Sequence, residues 1–101
     1  MDNKIAERYE SLKSMVVERR SQFDSLISFM ENETTWLTAP ASTKYHLCKG
    51  SGLLEHCVNV AESMLKIREA LAPDISTESC VIVSLVHDLG KVGMPGNPQY
   101  L

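Results

Sequence analysis

The side chains best suited to chemistry form a histidine–aspartate doublet, His87 and Asp88, at the end of an apolar run. An α-helix advances by about 100° per residue, so neighbouring side chains fan apart but can still converge on one ion. A neutral imidazole and a carboxylate together suit first-row metals such as Mn, Fe, Co, Ni and Zn. The doublet therefore predicts part of a metal site at a helix end.

Residues 81–86, which precede the doublet, are apolar nearly all round a helix and so indicate a buried helix. An ionised carboxylate in such a place needs a partner, because an unpaired buried charge is very costly. A metal ion would be that partner for Asp88. The alternative is that His87 caps the helix C-terminus and Asp88 is a solvated end residue.

Another histidine, His56, lies in the stretch GSGLLEHCVNVAESML. Apolar residues recur there with helical spacing, which predicts a helix from about Ser51 to Leu71. Ser51 can cap its start, and Pro73 ends it. Taken alone, a histidine on an apolar helix is more often a core residue bonded to a carbonyl. Its combination with the doublet favours a metal ligand.

The linker between the two helices is short, and Ser76 or Thr77 supplies a start signal for the second of them. A short connection makes consecutive helices antiparallel. The start of one helix, with His56, is therefore expected beside the end of the next, with His87 and Asp88. Gly90 is a good C-terminal cap, so the second helix is expected to end there, and residues 94–101 to form a tail.

The sequence G-x-G-L-L-E-H at residues 50–56 and H-D-L-G-K at residues 87–91 resembles the HD-domain superfamily of metal-dependent phosphohydrolases. That family's pattern is a histidine on one helix, a His-Asp doublet on a later helix and a distant final aspartate. The resemblance covers residues 45–92, and the final aspartate has no counterpart before Leu101. It implies an all-α, HD-domain-like helical bundle, incomplete over these residues and preceded by an amphipathic N-terminal helix.

The resemblance also assigns roles to individual residues. His56, His87 and Asp88 would bind one divalent cation, among Mn, Fe, Co, Ni, Zn and Mg, and Asp88 would touch a second metal where one is present. Such a metal lowers the pKa of bound water and polarises a phosphoryl oxygen, which gives phosphate-ester hydrolysis. Without the final aspartate, the 101 residues alone are expected to hydrolyse such esters poorly or not at all.

Two further residues are candidates for the site. His46, close before the first motif, matches a histidine that faces the metal centre in some family members; a surface histidine is the alternative. Lys91 lies one helical turn beyond His87 and is a candidate catalytic residue that contacts substrate phosphate, alongside Asp88. The alternative for Lys91 is a favourable cation at a helix C-terminus.

The resemblance implies a nucleotide, a cyclic nucleotide or an oligonucleotide as substrate. The partner is then a phosphate-containing small molecule or a short single-stranded nucleic acid. The 13 acidic and 10 basic residues give a formal net charge of -3 without a basic run, so duplex nucleic acid is a poor candidate. A catalytically inactive helical regulatory or interaction module of HD type is the alternative function.

Composition and cysteines fix the broad class. A chain of 101 residues that is 44% hydrophobic and 23% charged describes one ordinary soluble globular domain. Cys48, Cys57 and Cys80 show no C-x-x-C spacing and are expected to be small buried hydrophobes. A structural zinc site that combines Cys48 and Cys57 with His46 and His56 matches no zinc-finger spacing.

The chain has no apolar signal stretch at its start and no apolar window long enough to cross a bilayer, so we expect a cytoplasmic protein without a membrane partner. Residues 3–31 carry an apolar stripe of helical spacing that Arg19 interrupts, which allows one bent helix or two short ones. Ser21 and Asp24 resemble a capping box that could restart the helix. The stripe consists of Ile5, Tyr9, Leu12, Val16, Phe23, Leu26 and Met30.

We expect the stripe to pack on the rest of the domain, and the alternative is a dimer contact that makes a homo-oligomer. Residues 32–52 have the composition of a loop, with Trp36, Leu37, Tyr45 and Leu47 as its anchors. The expected organisation is an N-terminal helix and loop over residues 1–50, followed by the first part of an HD-type helical domain over residues 51–101.

Overall fold

A computed structural model describes residues 3–38 and 52–89 of the chain. The helices in these two ranges are α1 (Asn3–Lys13), α2 (Arg20–Glu33), α3 (Gly52–Leu71) and α4 (Thr77–Val86). The described residues contain no β-strand, so the predicted all-α class is confirmed. The HD-like form of the bundle and the division at residue 50 stay predictions.

The striped N-terminal region forms two helices rather than one bent helix. α1 ends at Lys13 and α2 begins at Arg20, while Val16 between them remains buried. Arg19 occupies the N-terminal capping position of α2, and its side chain makes no capping hydrogen bond to the helix. The predicted capping box at Ser21 and Asp24 is therefore wrong.

A residue of α4 binds the backbone at and just before the N-terminal capping position of α2. Glu78 accepts hydrogen bonds from the backbone N–H groups of Val17 (2.5 Å), Glu18 (2.8 Å) and Arg19 (3.0 Å), and from Nε of Arg19 (2.8 Å). The bond from the Arg19 guanidinium, followed by those from the backbone, lowers the pKa of this buried carboxyl to about 2. Arg19 occupies the N-terminal capping position of α2, so its amide is one that the helix start leaves without an intrahelical partner, whereas the amides of Val17 and Glu18 belong to the segment between α1 and α2.

The segment after α2 is anchored by Trp36, which is fully buried as predicted. Its indole N–H donates to the hydroxyl of Tyr9 at 3.0 Å, and that hydroxyl donates to Glu31 at 2.6 Å. Lys13 lies 3.1 Å from the same carboxylate. Burial, reinforced by the bond to Glu31, raises the pKa of Tyr9. The chain leaving α2 is thereby tied to α1.

The short turn predicted between α3 and α4 is present. α3 ends at Leu71, and Ser76 caps α4 by accepting a hydrogen bond from the backbone N–H of Ser79 at 3.0 Å. Arg68 donates to the carbonyl oxygens of Pro73, at 2.8 Å, and Ile75. α3 packs chiefly against α4 and also contacts α1.

The end of α4 differs from the prediction. The helix ends at Val86 rather than at Gly90, and His87 is its C-terminal capping residue. Nδ1 of His87 donates to the carbonyl oxygen of Ser84 at 2.7 Å. In a continued helix this carbonyl would accept from the amide of residue 88, so the imidazole competes with the helical hydrogen bond.

The apolar surface of α4 is also less buried than expected. Val83 is 59% exposed, so the helix is buried on one side only. On α3, Ile67 and Leu71 are likewise exposed. None of the helices described here is long and apolar enough to cross a membrane.

One hydrophobic core contains residues from all four helices. Cys57 and Cys80 are buried, as expected of small hydrophobes, whereas Cys48 lies outside the described residues. The buried core residues are Ile5, Tyr9, Leu12, Val16, Phe23, Ile27, Met30, Trp36, Leu53, Leu54, Cys57, Val58, Ala61, Val81 and Leu85.

Candidate metal centre

The antiparallel arrangement of α3 and α4 brings the three sequence-predicted ligands together. His56 lies one turn into α3, and His87 and Asp88 directly follow the last residue of α4. One potential ligand atom from each residue lies within 4.8 Å of the other two. The predicted convergence of His56 with the doublet is confirmed.

The distances are close to those that a metal ion requires. Oδ2 of Asp88 lies 3.3 Å from Nε2 of His56 and 3.3 Å from Nε2 of His87. With metal–ligand bonds of about 2.0–2.1 Å, two ligand atoms of a tetrahedral site lie about 3.3 Å apart. The distances from Oδ2 of Asp88 to the two imidazole nitrogens therefore already match this value. The two imidazole centroids are 5.5 Å apart, with ring planes inclined at 51°.

The orientation of His87 is set by its own helix. A carbonyl oxygen can only accept, so the contact with Ser84 assigns the ring proton to Nδ1 and leaves a lone pair on Nε2 of the neutral imidazole. Metal-binding histidines usually donate their second N–H to a carbonyl or carboxylate in this way. His87 thus caps α4 and also presents a potential ligand atom. The two roles considered for it from the sequence, helix cap and metal ligand, are therefore compatible.

The electrostatics of the group also favour a cation. Nε2 of His87 and Oδ2 of Asp88 lie 3.3 Å apart, and a cation bound between them would be attracted by the carboxylate charge and by the lone pair of a neutral imidazole. The side chain of Asp88 is only 21% exposed, so it is not simply a solvated end residue.

Two imidazole nitrogens and one carboxylate oxygen form a donor set suited to first-row metals rather than to Ca²⁺, which prefers oxygen ligands. The group could hold such an ion. The imidazole side chains are about a third exposed, which leaves an approach for water or a substrate. The expected number of ions, one or two, stays a prediction.

Other predicted site residues do not join this group. His46 and Lys91 lie outside the described residues, so their roles stay predictions. Cys57 follows His56 but is fully buried in the core, and it is not a member of the group. Its burial disfavours the structural zinc site, although His46 and Cys48 fall outside the described residues.

Support from α1 was not predicted from the sequence. Arg8 donates to Asn59 at 2.7 Å and to both carboxylate oxygens of Glu62 at 2.6 and 2.8 Å. The hydrogen bond from Arg8 lowers the pKa of Glu62. Asn59 lies one turn beyond His56, so these contacts fix the part of α3 that carries the ligand. The pairing spans two helices, and a local sequence pattern could not reveal it.

No family model matches the chain, and neither a curated protein nor a solved structure matches it. The chemistry open to the site follows from its own donor atoms.

Proposed function

We propose that this chain is the metal-binding part of a metal-dependent phosphohydrolase that acts on a nucleotide, a cyclic nucleotide or an oligonucleotide. The observation that supports it most strongly is the convergence of His56, His87 and Asp88 within 4.8 Å. The likeness of both motifs to those of HD-domain phosphohydrolases supplies the reaction class.

The three side chains would hold a divalent cation, with His87 oriented by the Ser84 carbonyl. A cation bound there supplies a Lewis acid for a phosphoryl oxygen and lowers the pKa of bound water. Three protein ligands leave coordination positions free for water and substrate, as catalytic sites require. In this proposal Lys91 contacts the substrate phosphate.

A regulatory or interaction module that binds metal without hydrolysis is the second candidate. Within residues 3–38 and 52–89, no fourth histidine, cysteine, aspartate or glutamate joins the group. A site with only the three ligands seen among these residues could bind an ion without hydrolysing an ester. The two candidates share the metal site and differ only in turnover.

The test begins with protein stripped by a chelator and titrated calorimetrically with Zn²⁺ or Mn²⁺. Hydrolysis of bis(p-nitrophenyl) phosphate and of nucleotides is then measured with and without metal. We expect metal binding and metal-dependent turnover in the wild type, and loss of both in His56→Gln. Asp74→Asn, in the exposed turn before α4, is the control that should keep both.

The two measurements separate the possible outcomes. Absence of metal binding to the folded wild type would reject both candidates. Binding without turnover of any tested ester would reject the enzyme and favour the regulatory module.

A further inference from the structure

We propose that the metal ion also acts as a latch, which fastens the C-terminal end of α4 to the start of α3. This inference rests on the metal site proposed above and adds a conformational role to it. Order at the end of α4 would then depend on metal supply.

The turn end of the α3–α4 pair is held without a metal. Arg68 binds the carbonyl oxygens of Pro73 and Ile75, and Ser76 caps the first turn of α4. Glu78 ties that same turn to the backbone before α2. All of these contacts are made by groups of the chain itself, and none needs an added ligand.

The opposite end of the pair is held differently. Leu85 is the last fully buried apolar side chain of α4, whereas Leu89, beyond the doublet, is partly exposed. The bond between His87 and Ser84 lies within the α4 segment and does not connect it to α3. At this end Asp88 contacts His56 across the two helices, and the rings of His56 and His87 lie beside each other.

That crossing contact gains strength from a cation. One potential ligand atom from each of His56, His87 and Asp88 lies within 4.8 Å of the other two, so one ion could bind all three residues. Such an ion would add three bonds, one to α3 and two to the end of α4. The end of α4 could then leave α3 only after a ligand is released.

The size of the effect follows from linkage. At a free metal concentration of 100 times the Kd, any opening that expels the ion becomes about 100-fold rarer. Amide hydrogen exchange through that opening slows by the same factor. Exchange near the turn end, at residues 72–79, does not require release of the ion and should be unchanged.

Hydrogen exchange read by mass spectrometry, on stripped protein with and without Zn²⁺, tests the latch. We expect Zn²⁺ to slow exchange at residues 86–89 by up to about 100-fold at the stated concentration and to leave residues 72–79 as they were. Asp88→Asn and His56→Gln should lose the effect. Arg68→Gln should speed exchange at the turn end and keep the Zn²⁺ effect at residues 86–89.

Calorimetry on the same samples distinguishes failure of the latch from failure of the site. If Zn²⁺ binds but exchange at residues 86–89 is unchanged, the latch is wrong and the metal site stands. If Zn²⁺ slows exchange equally in every segment, it acts on global stability, and the local latch is again wrong. If Zn²⁺ does not bind, the proposed function and the latch both fail.

Discussion

At the scale of single residues, Asp88 is central to the candidate metal site because its Oδ2 atom takes part in both short distances to the imidazoles. It is also the only carboxylate in the group. Lys91 belongs to the same sequence motif but has different chemistry, since an ammonium has no lone pair to offer a metal. The two residues should therefore respond differently to substitution.

We predict that Asp88→Ala abolishes metal binding, whereas Lys91→Ala retains the metal and weakens affinity for phosphate. Loss of even an outer partner of a ligand typically costs 10–100-fold in affinity, so loss of the ligand should cost more than about 100-fold. Elemental analysis and calorimetry on folded protein measure the metal. Equal metal loss in both variants would contradict this division of roles.

The convergence of His56 with His87 and Asp88 could be predicted because helical spacing and a short turn determine which helix ends meet. The hydrogen bond from His87 to Ser84 could not, because its acceptor is a backbone carbonyl, which every residue has. Only the folded helix end shows which carbonyl the ring reaches.

At the scale of helices, local signals predicted the boundaries that depend on neighbouring residues. Pro73 and the cap at Ser76 act within a few positions, and the turn between α3 and α4 follows them. The start of α2 depends instead on Glu78, about sixty residues away. A local pattern at Ser21 and Asp24 could not anticipate a cap from another helix.

Glu78 makes the start of α2 sensitive to pH. Its pKa is about 2 in the folded protein and near 4.5 when unperturbed, because Arg19 and the backbone amides stabilise the carboxylate. A lowered pKa in the folded state stabilises the protein above pH 4.5, and that stabilisation is lost as the pH falls towards 2. We expect Glu78→Gln to be less stable than the wild type at pH 7, with the difference shrinking below pH 4.5.

Urea unfolding, followed between pH 7 and pH 3, measures this difference. Glu69→Gln, which removes an exposed carboxylate on α3, is the control and should keep the pH response of the wild type. If the free energy of unfolding of Glu78→Gln differs from that of the wild type by a constant amount over this range, the charge of Glu78 is not the source of its stabilising effect.

At the scale of the whole molecule, the core joins all four helices, so we predict a single cooperative unfolding transition. Trp36 is the chain's only tryptophan and is buried beside Tyr9, so its fluorescence reports on the N-terminal part. Far-UV circular dichroism reports on every helix. The transitions reported by the two probes should coincide. Leu85→Ala on α4 should lower the free energy of unfolding obtained from each probe by about 2–5 kcal/mol.

Separate transitions by the two probes, or a Leu85→Ala shift confined to circular dichroism, would contradict a shared core.

Length and composition were enough to predict a small globular domain. They could not show which side of each helix is covered, because Val83, Ile67 and Leu71 have the same apolar character as their buried neighbours. Exposure at these positions depends on how the helices pack.

The cap that Glu78 provides also bears on the order of folding events. Its hydrogen bonds to residues 17–19 span 59 to 61 positions, so a long loop must close before they can form. We therefore expect them to form after the folding transition state, so that their loss raises the unfolding rate more than it lowers the refolding rate. Stopped-flow fluorescence of Trp36 in Glu78→Gln should show that asymmetry. An equal or larger change in the refolding rate would show instead that the Glu78 hydrogen bonds are already formed in the folding transition state. The segment that leads into α2 precedes α4 in the chain, yet its contacts with Glu78 would form only after α4 has docked.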